Sequence, residues 1–199
     1  TDLEKADRVY QAIRRKISYM DLRRIYKCFL STVPDKEMIL LRYIVLGFHI
    51  GSGISKLHGN PDVFAAQEIE KKINVEAERM RQFVRFSVMQ GNILYARIEP
   101  DHDVLELIGD HFSDRFRNDP FLIHDVRRSK AMAGYQGKWY VTSFAENDVP
   151  EESEEEKEYQ ALWQKYFDHI AIKERKNSNC QRNFMPLRYR KHLTECQIR

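Results

Sequence analysis

The apolar residues of this chain change period once, and that change limits the folds open to it. Through residue 82 they recur at intervals of three and four. The series runs Leu3, Ala6, Tyr10, Ile13 and Ile17, then Leu22, Ile25, Cys28 and Phe29, then Met38, Leu41, Val45 and Phe48, then Ala66, Ile69, Ile73 and Met80. Such spacing gathers one apolar stripe on each of four helices. Asp2 or Thr1 can cap the first helix, Pro34-Asp35 breaks the chain before the third, and Asn60-Pro61 suits the cap and first turn of the fourth. From Val84 the period is two: Val84, Phe86 and Val88 alternate with Arg85, Ser87 and Met89. After Gln90-Gly91-Asn92, Leu94, Ala96 and Ile98 alternate with Tyr95 and Arg97, which reads as a β-hairpin. A fifth helix is predicted over 104–116, a third strand over 121–126, and a second hairpin over 131–135 and 138–144 around Gln136-Gly137. The expected fold is α+β: a helical part over 1–82, a central antiparallel sheet of about five strands with a helix inserted over 83–145, and C-terminal helices over 159–199.

The first hairpin has a register that can be argued. A two-residue loop would put Phe86 on the face of Arg97. A three-residue loop pairs Met89 with Ile93 and aligns Val84, Phe86 and Val88 with Ile98, Ala96 and Leu94. The second keeps one apolar face and is expected. It also sets Arg85 opposite Arg97. Like charges across a ladder destabilise it, so a carboxylate (Glu76 or Glu99) or an external anion such as a DNA phosphate should offset them.

At 199 residues with 42% hydrophobic content, the chain can bury a core of its own and is expected to form a single domain. The formal net charge is only +3, so the distribution of charge says more about partners than its sum. Cys28, Cys180 and Cys196 are odd in number and far apart, which suggests free thiols in a reducing, cytoplasmic setting. No leader segment is read at the N-terminus, and no cofactor or metal spacing is present. The longest apolar run, 38–50, is interrupted by Arg42 and Gly47 and is expected to be a buried helix, with no membrane partner. Over 146–158, eight of thirteen residues are acidic, and the segment is expected to be a flexible linker.

Four polar residues sit where a site could be. Glu76 lies on the apolar stripe of the fourth helix, where a carboxylate needs a partner; an arginine salt bridge is the expectation, a general base of raised pKa the alternative. His111 lies on the predicted stripe of the fifth helix and is expected to be a core histidine. The pattern Asp110, His111, Asp114 does not converge on a metal, because adjacent helical residues point about 100° apart. His124 and Asp125 face opposite sides of a strand, so a buried face carries a polar group either way.

Several segments taken together are familiar: Val84-Arg85-Phe86, 94–100 (LYARIEP), 111–116 (HFSDRF), His124-Asp125-Val126-Arg127-Arg128, and a C-terminal set of Leu162-Trp163, Tyr166-Phe167, Ala171-Ile172, Arg175, Asn177, Gln181 and Met185-Pro186. This resembles a bacterial family labelled as DNA metabolism proteins. Its members are encoded beside a DNA-repair-type radical SAM protein, and a related domain is fused to some uracil-DNA glycosylases. The resemblance spans nearly the whole chain. It implies a DNA context, with a radical SAM protein or a glycosylase as partner, and brings no established chemistry.

The residues themselves point the same way. From Trp163 onward nine Lys and Arg face three acids, and cations interleave with rings through Arg182, Phe184, Arg188 and Tyr189. Single-stranded nucleic-acid binders combine these residue types. The candidate nucleic-acid contacts are Arg85, Tyr95, Arg97, Arg115, Arg175, Asn177, Gln181, Arg182, Arg188 and Tyr189. The leading expectation is a DNA-associated accessory of repair or modification. An enzyme using Glu76, His111, His124 or Asp125 in a pocket, and a protein scaffold without nucleic acid, are the alternatives.

Overall fold

A computed structural model describes residues 2–149, 151–170 and 177–196. Where the sequence suggests one domain, the chain groups into two compact units, Thr1–Glu76 with Asp101–Val104, and Ala77–Pro100 with Leu105–Arg199.

The first unit holds α1 (Leu3–Lys16), α2 (Tyr19–Phe29), α3 (Lys36–Ile50), a 3₁₀ turn (Gly51–Lys56) and the first part of α4 (Pro61–Phe83). The expected caps are in place. Asp2 accepts from the Lys5 N–H at 3.1 Å, and Asn60 accepts from Asp62 and Val63 at 3.0 and 3.2 Å. Each satisfies donors that a helix start leaves over. Ile13, Ile17, Leu22, Cys28, Leu40, Ile54, Val63, Ala66, Ile69 and Ile73 form the core.

One polar group sits inside that core. Asp21 is fully buried and accepts from Tyr43 Oη at 2.6 Å, Ser55 Oγ at 2.7 Å and Arg24 Nη1 at 3.0 Å. Arg24 in turn donates through Nε to Glu70 at 2.6 Å. Burial pushes the Asp21 carboxyl up, but the hydrogen bonds from Ser18, Tyr43 and Ser55 and the charge of Arg24 outweigh it and hold it below the usual carboxylate range. The ionised form therefore ties α2, α3 and the 3₁₀ turn together.

The structure corrects the expectation of a buried third helix. Leu40, Tyr43 and Gly47 of α3 are buried, while Met38, Leu41, Val45 and Phe48 are exposed. Apolar residues run round most of the helix, interrupted by Arg42, so its periodicity could not say which side packs. With the following 3₁₀ turn it forms a continuous 21-residue helical stretch, Lys36–Lys56. By length and composition alone that stretch is apolar enough to cross a membrane, where the sequence reading stopped at residue 50.

The second unit is built on five strands in the order β1-β2-β3-β4-β5: Ser87–Met89, Ile93–Ile98, Phe121–Asp125, Lys130–Tyr135 and Lys138–Ser143. The expected hairpin register is observed, with Met89 opposite Ile93 and Val88 opposite Leu94. The sheet is mixed rather than antiparallel, because β2 and β3 run parallel, Arg97 lying opposite His124. A parallel pair needs a crossover, and α5 (Leu105–Arg115) provides it.

α5 packs on β4 and β5. Gly109 lies flat against the Trp139 ring, where an added Cβ would fall 2.4 Å from the indole, and the indole N–H donates to Asp110 at 2.9 Å. Leu105, Ile108, Gly109, Phe112 and Ser113 form the buried side. His111, expected in the core, is exposed. The predicted stripe was turned by about one position because it counted Val104, which precedes the helix.

The acidic segment is also corrected. Instead of a linker over 146–158, a 3₁₀ turn (Glu146–Asp148) leads into α6 (Glu154–Ile170). Ser153 Oγ accepts from the Glu156 N–H, and Glu154, Glu155 and Glu156 occupy the first turn, where the helix dipole favours acids. The backbone at 151–153 pairs with β1, through Gln90 N–H to the Glu151 carbonyl at 2.9 Å and Ser153 N–H to the Val88 carbonyl at 3.2 Å. The chain continues through α7 (Ser178–Phe184) into 3₁₀ turns at Leu187–His192 and Thr194–Cys196.

Two outcomes follow. Asp21→Ala leaves the Tyr43, Ser55 and Arg24 donors buried without their acceptor, and should lower unfolding stability of the first unit by about 3 kcal/mol or more in denaturant titration. Gly109→Ala gains helix propensity but drives a methyl into Trp139, and should destabilise the second unit by about 1–3 kcal/mol, with a change in tryptophan fluorescence.

Candidate functional site

The sequence candidates do not converge on one pocket. Glu76 is buried as expected, and both its oxygens hold backbone N–H groups, of Asp101 at 3.0 Å and His102 at 2.7 Å. The carboxylate thus caps a loop within the first unit. Asp125 is fully buried on the α5 side of the sheet. It accepts from the Arg127 N–H at 3.1 Å and from Arg128 Nη1 at 2.8 Å, closing the β3–β4 turn. His111 is exposed with its ring edge-on to Phe112. Glu76 and Asp125 thus have structural roles of their own, and His111 faces solvent.

His124 lies on the other face of the sheet. Strand register puts Ser87, Tyr95, Arg97 and His124 on that face together. His124 Nδ1 is 2.9 Å from the Tyr95 hydroxyl, and its ring stands edge-on to Phe144 at 4.9 Å. Burial holds the imidazole below its usual pKa, so it is neutral near pH 7. Burial pushes the Tyr95 phenol up to about 12. Tyr95 is only 3% exposed and offers no ring face for stacking, contrary to its expected role.

Above this face lies a cleft of about 170 Å³. Ser87, Tyr95 and Arg97 line it from the sheet, Arg85 from the segment before β1, Glu152 and Gln160 from the acidic segment and α6, and His192 and Thr194 from the C-terminal turns. Arg85 and Arg97 are not ladder partners, because β1 begins at Ser87. Arg85 donates to the Gln82 carbonyl at 3.1 Å. Arg97 Nη1 lies 2.7 Å from Glu146, while its Nε is buried with no hydrogen-bond partner. The carboxylate beside Arg97 is therefore Glu146, not the expected Glu76 or Glu99. Glu99 instead receives Lys191 Nζ at 2.6 Å and His192 Nε2 at 3.2 Å. Burial lowers the His192 pKa despite the attraction of Glu99.

Of the other expected nucleic-acid contacts, Arg115, Arg182 and Arg188 are exposed. Arg115 lies over the Phe116 ring, Arg182 donates to Asn179 at 3.2 Å, and Arg188 stacks on Tyr189 with its guanidinium 4.7 Å from the ring centre. Tyr189 is buried against Phe83 and is not a stacking platform. Asn177 accepts from the Cys180 N–H at 2.9 Å, starting α7. Gln181 falls within α7, and Arg175 lies outside the described residues. The exposed rings are others: Phe184, 76% exposed, and Trp163 with Tyr166, whose centroids are 5.7 Å apart on α6.

The sequence reading missed Glu146, Glu152, Gln160, Thr194 and the cleft role of His192. For Gln160, on α6, a signal existed, since Ser153 followed three residues later by Glu156 marks a helix start. Nothing local singles out Glu146 from its acidic neighbours. Among the described residues no group of three or more His, Cys, Asp or Glu is placed to hold a metal ion. Cys28 is buried, its thiol pushed up to about 12 by burial, and it is inert as a nucleophile.

Fold and site define an α+β protein whose mixed five-stranded sheet carries an arginine-bearing polar cleft on one face. The chain belongs to the DUF4130 family, a domain of unknown function, whose profile matches residues 34–195. No curated protein and no solved structure matches it.

The two depressed histidines set a pH dependence. With the folded pKa below the unfolded value, the unfolded chain takes protons first as pH falls through about 6.5. Stability of the second unit should therefore be constant above neutral pH and fall between pH 7 and 5, measured by denaturant midpoints. His124→Gln should lower stability at pH 7.5 and reduce the slope below it. An unchanged slope would show that His124 does not carry it.

Proposed function

We propose that the protein is a nucleic-acid-associated module of bacterial DNA repair or modification, acting beside an enzyme such as a radical SAM protein or a uracil-DNA glycosylase. The observation that carries this is the exposure of rings and cations together along the C-terminal part of the second unit. Phe184, Trp163 and Tyr166 are solvent-facing, and so are Arg182, Arg188 and Lys191. Exposed aromatic faces serve bases of a single strand and guanidinium groups serve its phosphates, independently of sequence. The resemblance of the C-terminal motifs to DNA metabolism proteins supports the same context.

This reading shifts the contact surface away from the first hairpin. Tyr95 and Tyr189 support it as packed residues, and the stacking roles pass to Phe184 and the Trp163–Tyr166 pair. The catalytic alternative loses its basis as a single pocket, because Glu76 and Asp125 are each committed to backbone and arginine donors.

Fluorescence anisotropy with a single-stranded oligonucleotide tests the proposal. Arg182→Ala with Arg188→Ala should weaken binding and reduce the slope of log K against log salt by about 0.7 per lost phosphate contact. Phe184→Ala should cost about 1–3 kcal/mol with the salt slope unchanged. Absence of salt-dependent binding in the unaltered protein would favour the scaffold alternative.

A further inference from the structure

The sheet-face cleft contains a charged donor whose needs the protein leaves unmet. Arg97 rises from β2 in the floor. Its Nη1 meets Glu146, but its Nε is buried and has no acceptor. A guanidinium presents Nε and Nη as a fork that fits two oxygens of one oxyanion, and a desolvated donor left open is costly. Glu146 holds Nη1, which points away from the Nε–H, so it does not occupy the Nε edge of the guanidinium. It comes from a short 3₁₀ turn that closes on itself through Ala145 N–H to Asp148 at 3.1 Å, and its side chain is 53% exposed. It can be displaced without breaking a core contact.

The rest of the lining narrows the ligand. Arg85 adds a second cation, and Ser87 and Thr194 add hydroxyls. A carboxylate carries one charge against these two cations, whereas phosphate has three oxygens and more charge. The far wall differs in sign. Glu152 lines it beside Gln160, whose amide nitrogen reaches Glu152 at 3.5 Å and Ser87 at 3.2 Å. A bare dianion is poorly matched there. A group with N–H or O–H donors is well matched, as when a carboxylate accepts from an exocyclic base amine.

We propose that this cleft binds a phosphate ester with a donor-bearing polar body, a nucleoside 5′-monophosphate or the 5′-phosphorylated end of a strand. The phosphate takes the Nε edge of Arg97 beside Glu146, and the sugar or base donates to Glu152. The site is separate from the exposed C-terminal surface and does not depend on it.

Isothermal titration with deoxycytidine 5′-monophosphate, inorganic phosphate and deoxycytidine tests the assignment. The monophosphate should bind more tightly than inorganic phosphate, and deoxycytidine more weakly than either. Glu146→Gln removes the negative charge beside the phosphate and should tighten monophosphate binding several-fold. Arg97→Gln should weaken it by about tenfold or more, which is about 1.4 kcal/mol. Glu152→Gln should narrow the difference between monophosphate and inorganic phosphate. The proposal is overturned if neither the unaltered protein nor Glu146→Gln binds the monophosphate, if Glu146→Gln weakens binding, or if Arg97→Gln, folded by circular dichroism, leaves it unchanged. Should Arg97→Gln fail to fold, the sign of the Glu146→Gln effect decides. An oligonucleotide with and without its 5′-phosphate identifies the source: a gain on phosphorylation that depends on Arg97 assigns the strand end, and no gain assigns the free nucleotide. Arg182→Ala with Arg188→Ala should leave monophosphate binding intact, so failure of the strand surface and failure of the cleft are distinguishable.

Discussion

The parallel pairing of β2 with β3 is the constraint on which the second unit depends. Two parallel neighbours cannot be joined by a tight turn, so the chain between them must leave the sheet and return. It does so as α5, which lies against β4 and β5 with Gly109 on Trp139. One face of the sheet is thereby committed to α5. The opposite face, carrying Ser87, Tyr95, Arg97 and His124, is met by the acidic segment, α6 and the C-terminal turns. The cleft exists because that second covering is polar and incomplete. β1, only three residues long, would leave an open edge, and the backbone at 151–153 takes it up.

Charged groups are treated in two ways in this protein. Asp21, Glu76 and Asp125 sit among donors that answer them, from side chains, backbone N–H groups or an adjacent arginine. Groups answered in this way hold loops and helices in register. Arg97 is the contrasting case, with a buried Nε that nothing in the protein accepts. Arg97 differs on both counts: its side chain is 39% exposed and its Nε has no acceptor, so it is open to a ligand as the three carboxylates are not.

Much of the architecture could be read from local pattern. The change of period near residue 83 separates helices from strands. The Asp2 and Asn60 caps are side-chain chemistry acting within three residues. The three-residue hairpin loop and its register followed from keeping Val88 and Leu94 on one face, and the ladder agrees. Burial of Glu76 followed from its place between Ile73 and Met80. Where the pattern was ambiguous the reading went astray. A largely apolar α3 has no clear preferred side, a stripe begun one residue early put His111 inside, and eight acids hid a helix start whose first turn favours them.

The sequence by itself determined the α+β class, the helix caps, the hairpin register and a C-terminal segment rich in cations and rings. Each depends on neighbours within a few residues, which is the range over which hydrophobic period and capping act. Tertiary structure alone decided the parallel β2–β3 pair, the Asp21 cluster drawn from α2, α3 and the 3₁₀ turn, the burial of Tyr95 and Tyr189, and the meeting of Arg97 with Glu146. These join residues tens of positions apart. No local spacing encodes which acidic residue of a run, or which face of a sheet, the folded chain will bring to an arginine.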